Sequence, residues 1–196
     1  MITVITRTAN RPRYFAECRR SVMAQTLRPY HIVVSDTPED EYPEGDRVVR
    51  VQHLDDRGHN QYFNIARLHV PSSHPWVMFL DDDDAFSTHD AVATIAEAIR
   101  SANDMVLWQV DFHNRLVPGG MIYLPPQVGK ISGIGFCYHV SHWVDWKPYA
   151  CGDFLVINEL YPMLRPVWLD RVLTKIQRDP GHGARVDLKT ELKYGI

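Results

Sequence analysis

The stretch that most constrains this chain is the apolar run Trp76-Val-Met-Phe-Leu80, followed at once by Asp81, Asp82, Asp83 and Asp84. A run of that length suits a strand buried on both faces, and the carboxylates follow where such a strand would leave its sheet. Open α/β sheets bind their ligands at that edge. Adjacent carboxylates repel and raise one another's pKa unless a cation neutralises them, which makes a divalent ion the natural partner. The plainer alternative is a solvated acidic loop leading into a helix from near Ser87, where carboxylates suit the helix dipole.

The rest of the composition permits an ordinary folded core. With 45% hydrophobic and 23% charged residues over 196 positions, the expectation is one domain spanning 1–196. A formal net charge of −3 gives no general attraction to nucleic acid. The opening Met-Ile-Thr-Val-Ile-Thr-Arg lacks a charged leader with a long apolar run behind it, and nothing later approaches 18 uninterrupted apolar residues. No membrane span is expected. The three cysteines, an odd number, fit reduced thiols and hence a cytoplasmic setting.

Along the chain, Ile2 to Thr6 reads as a buried strand, and Pro12 stands where a helix would begin, with Phe15, Cys18, Val22 and Met23 on one face. His31 to Ser35 is a second strand ending at Asp36, and Arg47 to Leu54 resumes as an extended run. Asp55-Asp56-Arg57-Gly58 turns into a helix carrying Tyr62, Ile65 and Ala66, which Pro71 and Pro75 end before the central strand. Val92, Ile95, Ala96 and Ile99 mark an amphipathic helix. This order implies a layered α/β fold, Rossmann-like, with a mostly parallel sheet flanked by helices. Beyond residue 100, Met105 to Phe112 and Met121 to Leu124 read as strands about a Pro118-Gly119-Gly120 turn. An aromatic segment with Tyr138, Trp143, Trp146 and Tyr149 follows, and the residues after Gly181 are polar.

Several of these segments together resemble the inverting family 2 glycosyltransferases of the A-type fold. Val4 to Pro12, with Thr6, Arg7 and Asn10, is similar to the family's opening strand and turn, and Ser21 to Thr26 to the end of its first helix. His31 to Asp36 looks like the second strand, whose terminal aspartate contacts the nucleotide base in that family. Arg57-Gly58-His59-Asn60 with Asn64 follows the pattern of the next loop and helix, and Phe79 to Asp84 that of the DxD metal region. The resemblance is strong over 1–100, which it makes the nucleotide-sugar half, and weaker over 101–196, the acceptor half. There it puts Asp153 of Gly152-Asp153-Phe154 in the place of the catalytic base, and likens Gly181-His182-Gly183 to a segment that can supply a metal-binding histidine.

The resemblance implies a transferase that uses Mn²⁺ or Mg²⁺ and a nucleotide diphosphate sugar, with UDP the favoured nucleotide. Asp81, Asp83 and His182 would hold the metal, and Thr6, Arg7, Asn10, Asp36, Asn60, Asn64, Asp81 and Asp82 the donor. Departure of a diphosphate builds negative charge that a metal stabilises, while the acceptor hydroxyl needs a carboxylate base. Asp153 is the leading base; Asp145 and Glu159 are alternatives, since Asp153 could also cap a helix. Trp143 and Trp146 are candidates for an acceptor-stacking wall. Phe63 departs from the family, which often has an arginine there, so base recognition would fall to Arg7 and Asn60. The short stretch after Asp153 suggests a saccharide or other small hydroxyl-bearing acceptor, or an exposed group on a macromolecule. A hydroxylated base in DNA is the disfavoured acceptor, kept open by Arg11, Arg13, Arg19 and Arg20.

Three other readings compete. Cys137, His139, His142 and Cys151 could ligate zinc, but without tight Cys-x-x-Cys spacing, and burial explains them as well. A nucleotidyltransferase would be expected to show a glycine- and lysine-bearing opening loop, which Thr6 to Pro12 lacks. A non-catalytic sugar or nucleotide-binding module would need Asp36 and the aromatics but not a metal and a base together.

Overall fold

A computed structural model describes residues 1–8, 12–36, 46–52, 59–120, 125–148 and 151–177. Strand β1 (Ile2–Thr8) leads to helix α1 (Pro12–Met23), then to β2 (Tyr30–Ser35) and β3 (Arg47–Arg50). A 3₁₀ turn at His59–Gln61 opens the short α2 (Tyr62–Ala66), and another at Arg67–His69 closes it. Next come β4 (Trp76–Phe79), β5 (Asp84–Phe86), α3 (Ala91–Ala98), β6 (Asp104–Phe112) and β7 (Arg115–Val117). The chain continues through β8 (Phe136–His139) and α4 (Gly152–Leu160) to the long β9 (Arg165–Ile176).

One sheet runs β3-β2-β1-β4-β8-β6-β9-β5, with β7 paired to β6. β1, β2, β3 and β4 pair in parallel, whereas β8 is antiparallel to both β4 and β6. β6 and β9 are parallel again, while β5 and β7 run against their partners. The sheet is therefore mixed, with its longest parallel block at the β3 end. That block matters for the site: because β2, β1 and β4 run the same way, the residues leaving their C-terminal ends emerge at one edge.

Strand alternation sorts the core into two layers. Ile5, Val34, Val77, Phe79, Leu107, Phe136 and Tyr138 face a cluster completed by Tyr62, Phe63 and Ala66 of α2 and Val156, Ile157 and Leu160 of α4. Val4, Met78, Val106, Trp108 and Cys137 point the opposite way, onto Cys18 and Val22 of α1 and Val92 and Ile95 of α3. Helices thus cover both faces. Phe79 sits at the centre of the first layer, with ring centroids 4.8 Å from both Phe63 and Trp146. Truncating such a residue to alanine typically costs about 3–5 kcal/mol. In the second layer Gln25 ties α1 to α3: its Nε2 donates to Thr88 O (2.8 Å), and its Oε1 accepts from Val92 N (3.0 Å).

Three local features differ from the sequence expectation. The acidic run does not pass straight into a helix, because Asp84–Phe86 pairs with Thr174–Ile176 of β9 first. Strand β6 turns back into β7 at His113 and Asn114, both with positive φ (53° and 68°), a hairpin ahead of the Pro118-Gly119-Gly120 turn that the sequence expectation does not contain. Asparagine and histidine tolerate that conformation better than most residues, and the Asp111 carboxylate accepts from Asn114 N at 2.7 Å. The strand expected at Met121 to Leu124 lies outside the described residues.

Candidate active site

Each acidic residue of the run has a different environment. Asp81 is two residues beyond β4 and keeps 30% of its side chain exposed. Asp82 turns inward: it is 2% exposed, and its Oδ2 accepts from the Thr8 hydroxyl at 2.8 Å. Asp84 is buried where β5 begins, and its Oδ2 accepts from Asp81 N at 3.1 Å. Burial, then the charges of Asp81 and Asp83, push the Asp84 carboxyl well above the ordinary carboxylate value. Asp81, Asp83 and Asp84 each offer an oxygen within 4.8 Å of the others. The sequence pointed to Asp81 and Asp83; Asp84 is a third member that the unbroken acidic run already contained.

Arg7, leaving β1 at the same edge, meets this cluster directly. Its Nη2 donates to Asp81 Oδ2 at 2.7 Å, and its Nε lies 2.7 Å from Asp81 Oδ1. The second contact is an ion pair without hydrogen-bond alignment: among the described residues, Asp81 Oδ1 is buried and accepts no hydrogen bond. Arg7 Nη1 also donates to Asn60 Oδ1, and the guanidinium lies 5.2 Å from the centroid of the Phe63 ring. Arg7 thus lies beside Phe63, the position at which the family often has an arginine.

Three carboxylates that each offer an oxygen within 4.8 Å of the others are what a hard divalent cation requires, so the residues present fit such an ion. Among the described residues this acidic group is the one such cluster. Cys137 is buried between strands, and His139 packs against Trp76 in a T-shaped pair with ring centroids 5.4 Å apart, which accounts for both without zinc. Asn10 and His182 lie outside the described residues.

Asp36 follows β2 directly, on the edge from which Asp81 emerges, and its Oδ2 accepts from the Tyr62 hydroxyl at 2.7 Å. Asp153 arrives from the second half, in the first turn of α4. Its Oδ1 accepts from Phe154 N (2.8 Å) and its Oδ2 from Gly133 N (3.0 Å). The residue retains some surface while the carboxyl group is enclosed. Burial raises its pKa, the two backbone N–H groups oppose that rise, and the nearby Asp81 charge adds to it while Arg7 subtracts.

Two glycines make this approach possible. A Cβ on Gly133 would stand 3.2 Å from Asp153 Cβ, and one on Gly152 only 2.7 Å from Asn60 Nδ2 and 3.1 Å from Lys147 O. Asp145 and Glu159, the alternatives to Asp153, are both exposed.

Other residues expected at the ligand make contacts within the fold. Thr6 is fully buried, its hydroxyl within 3.0 Å of His31 Nε2, and His31 Nδ1 in turn lies 3.1 Å from Asp46. Asn64 spends both ends of its amide on Trp146, donating to its carbonyl (3.0 Å) and accepting from its N–H (2.8 Å). Trp146 is 3% exposed, a core residue with no face for an acceptor, whereas Trp143 is half-buried beside Phe79 and Arg67. Of the four arginines that kept DNA open, Arg19 is matched by Asp46, and Arg11 and the Arg13 side chain lie outside the described residues.

With this geometry established, a family model described as glycosyl transferase family 2 matches residues 3–119. The chain belongs to that family. No curated protein sequence matches it. Among solved structures, S. aureus TarS 1-349 in complex with UDP-GlcNAc superposes with a TM-score of 0.74 at 18% identity, covering 92% of this chain and 59% of that one. A second structure, of S. aureus TarS, gives 0.69 at 19% identity, over 91% of this chain and 37% of that one. The mannosyltransferase PcManGT from Pyrobaculum calidifontis, in complex with GDP-Man and Mn²⁺, gives 0.63 at 15% identity, over 92% and 57%. These likenesses establish the A-type glycosyltransferase fold, and the chain spans less than two thirds of the length of each of these relatives. Among the described residues, no helix is long and apolar enough to cross a membrane.

Proposed function

We propose that this chain is a metal-dependent inverting glycosyltransferase that moves a sugar from a nucleotide diphosphate sugar to an acceptor hydroxyl. One observation supports the reading: Asp36 and the Asp81/Asp83/Asp84 group follow parallel strands at one sheet edge, and Gly152, next to Asp153, packs against Asn60, the residue that holds Arg7 on Asp81. A nucleotide-binding carboxylate, a cation site and a base with a raised pKa are the three parts this chemistry needs. UDP is the favoured nucleotide, in line with the UDP-GlcNAc complex of TarS, and Mn²⁺ the favoured metal, in line with PcManGT.

In this reading Asp36, fixed by Tyr62, contacts the nucleotide base, with Asn60 beside it. Asp81, Asp83 and Asp84 hold the cation, which when bound offsets the charge growing on the departing diphosphate. Asp153 takes the proton of the acceptor hydroxyl on a lone pair that Gly133 N and Phe154 N leave open, since each carboxylate oxygen has two. The acceptor oxygen then bonds to the anomeric carbon as the bond to the diphosphate oxygen breaks, its electron pair leaving with the diphosphate. One displacement by one base inverts the anomeric centre. The favoured acceptor is a saccharide hydroxyl, with Trp143 as the aromatic residue beside it and a cytoplasmic location as the setting.

The test is turnover of a panel of UDP- and GDP-sugars with Mn²⁺. Nucleoside diphosphate release is expected. Release of sugar 1-phosphate, by attack at the α-phosphorus, would instead indicate a nucleotidyltransferase, and no product from any donor would leave a binding module.

A further inference from the structure

The acidic cluster already contains a cation of the protein's own. Arg7 contacts both oxygens of Asp81 at 2.7 Å, one as a hydrogen bond and one as an ion pair without alignment. The guanidinium is held from two further sides, by Asn60 Oδ1 and by the Phe63 ring 5.2 Å away. Only 20% of the Arg7 side chain is exposed, so solvent screens the pair incompletely. A divalent ion using Asp81 must either share that carboxylate with a guanidinium or displace it, and like charges at that separation repel.

We propose that Arg7 is the resident counter-cation of Asp81 and sets how tightly the donor-free protein binds a divalent metal. Arg7 leaves the Asp81 carboxylate only part of its charge for the metal, so the cluster binds a cation weakly until an anionic diphosphate offers the guanidinium another partner. Metal and donor are thereby favoured to bind together. Asn60 and Phe63 act as positioning residues that keep the guanidinium on Asp81. This inference rests on the metal reading above, and its test separates the two.

The measurement is a titration of donor-free protein with Mn²⁺, following free Mn²⁺ by electron paramagnetic resonance. It compares wild type, Arg7→Gln, Arg7→Met, Arg7→Lys and the double variant Arg7→Gln/Asp81→Asn. The neutral single variants should bind Mn²⁺ at least about tenfold more tightly than wild type, because a repelling charge in contact with the ligand is gone. Arg7→Lys should stay close to wild type, and the double variant should lose the gain. A damaged fold would weaken metal binding, so tighter binding cannot come from misfolding. Wild type that binds Mn²⁺ as tightly as the neutral variants, or more tightly, would overturn the role of Arg7 while leaving the metal site standing. Absence of Mn²⁺ binding in all of them would likewise overturn the role of Arg7, and only its absence in the presence of a nucleoside diphosphate as well would overturn the metal reading itself.

Discussion

Replacing Asp153 by asparagine removes the candidate base with almost no change in shape. Gly133 N and Phe154 N each donate to one carboxylate oxygen, at 3.0 and 2.8 Å, and asparagine supplies only one such oxygen. One backbone N–H then faces an amide NH₂, at a cost of about 1–3 kcal/mol. An opposing gain comes from charge. Because the folded-state pKa of Asp153 is raised above its ordinary 3.8, ionisation costs stability progressively as pH rises from the unfolded-chain value through the folded one, and the loss is complete above it. Asparagine escapes that loss, so at neutral pH the variant should remain folded, with a stability change smaller than about 3 kcal/mol. Sugar transfer should fall at least about a hundredfold, equivalent to about 2.7 kcal/mol of barrier, while donor affinity is preserved. The wild-type rate under saturating donor should rise with pH through a pKa above the ordinary aspartate value, and the variant should lack that limb. Denaturant melts, calorimetric donor binding and a pH–rate profile check these points. Loss of donor binding with an unchanged saturated rate would make Asp153 a donor ligand and return Asp145 and Glu159 to consideration.

Asp83→Asn should abolish turnover and leave the metal-free protein as stable as wild type or slightly more so, because it relieves crowding with Asp81 and Asp84; full activity in excess chelator would refute the metal role. Asn64→Ala should cost about 2 kcal/mol in chemical denaturation, for two lost hydrogen bonds to the Trp146 backbone, with unchanged donor affinity. A large affinity change at constant stability would instead make Asn64 a donor contact. Gly152→Ala forces a methyl group to within 2.7 Å of Asn60 Nδ2 and 3.1 Å of a backbone oxygen. It should lower stability by about 1–3 kcal/mol and reduce turnover by moving Asn60 off Arg7, both measurable on purified protein.

The parts legible in the sequence are those governed by local pattern. Val4-Ile5, Ile32 to Val34 and Val77 to Phe79 are uninterrupted apolar runs because their strands are covered on both faces, so the sheet edge bearing Asp36 and Asp81 could be anticipated. Strand β9 gave no such signal: charged Arg165, Asp170, Arg171 and Lys175 are interleaved through it, and most of its residues keep some exposure. The long-range polar contacts were equally silent. Nothing local distinguishes Thr6 and Asp82, which face inward, from Arg7 and Asp81, which face the site. The family resemblance points to Asn64 and the aromatic clustering to Trp146 as ligand residues, but neither signal indicates that the two bond each other across 82 positions of chain. Gly133 and Gly152 reveal their purpose only against Asp153 and Asn60, partners that no sequence spacing indicates.

The central claim is that one donor lies across Asp36, the acidic cluster and Asp153. It is tested most directly by a crystal structure of the protein with Mn²⁺ and an unreactive nucleotide-sugar analogue. The expected result has the base at Asp36, Mn²⁺ on the cluster carboxylates and the diphosphate, and Asp153 facing the anomeric carbon from the side opposite the leaving group. An acceptor oxygen placed there would be within about 3 Å of the Asp153 carboxylate. A donor bound elsewhere, or one whose anomeric carbon faces away from Asp153, would contradict the account.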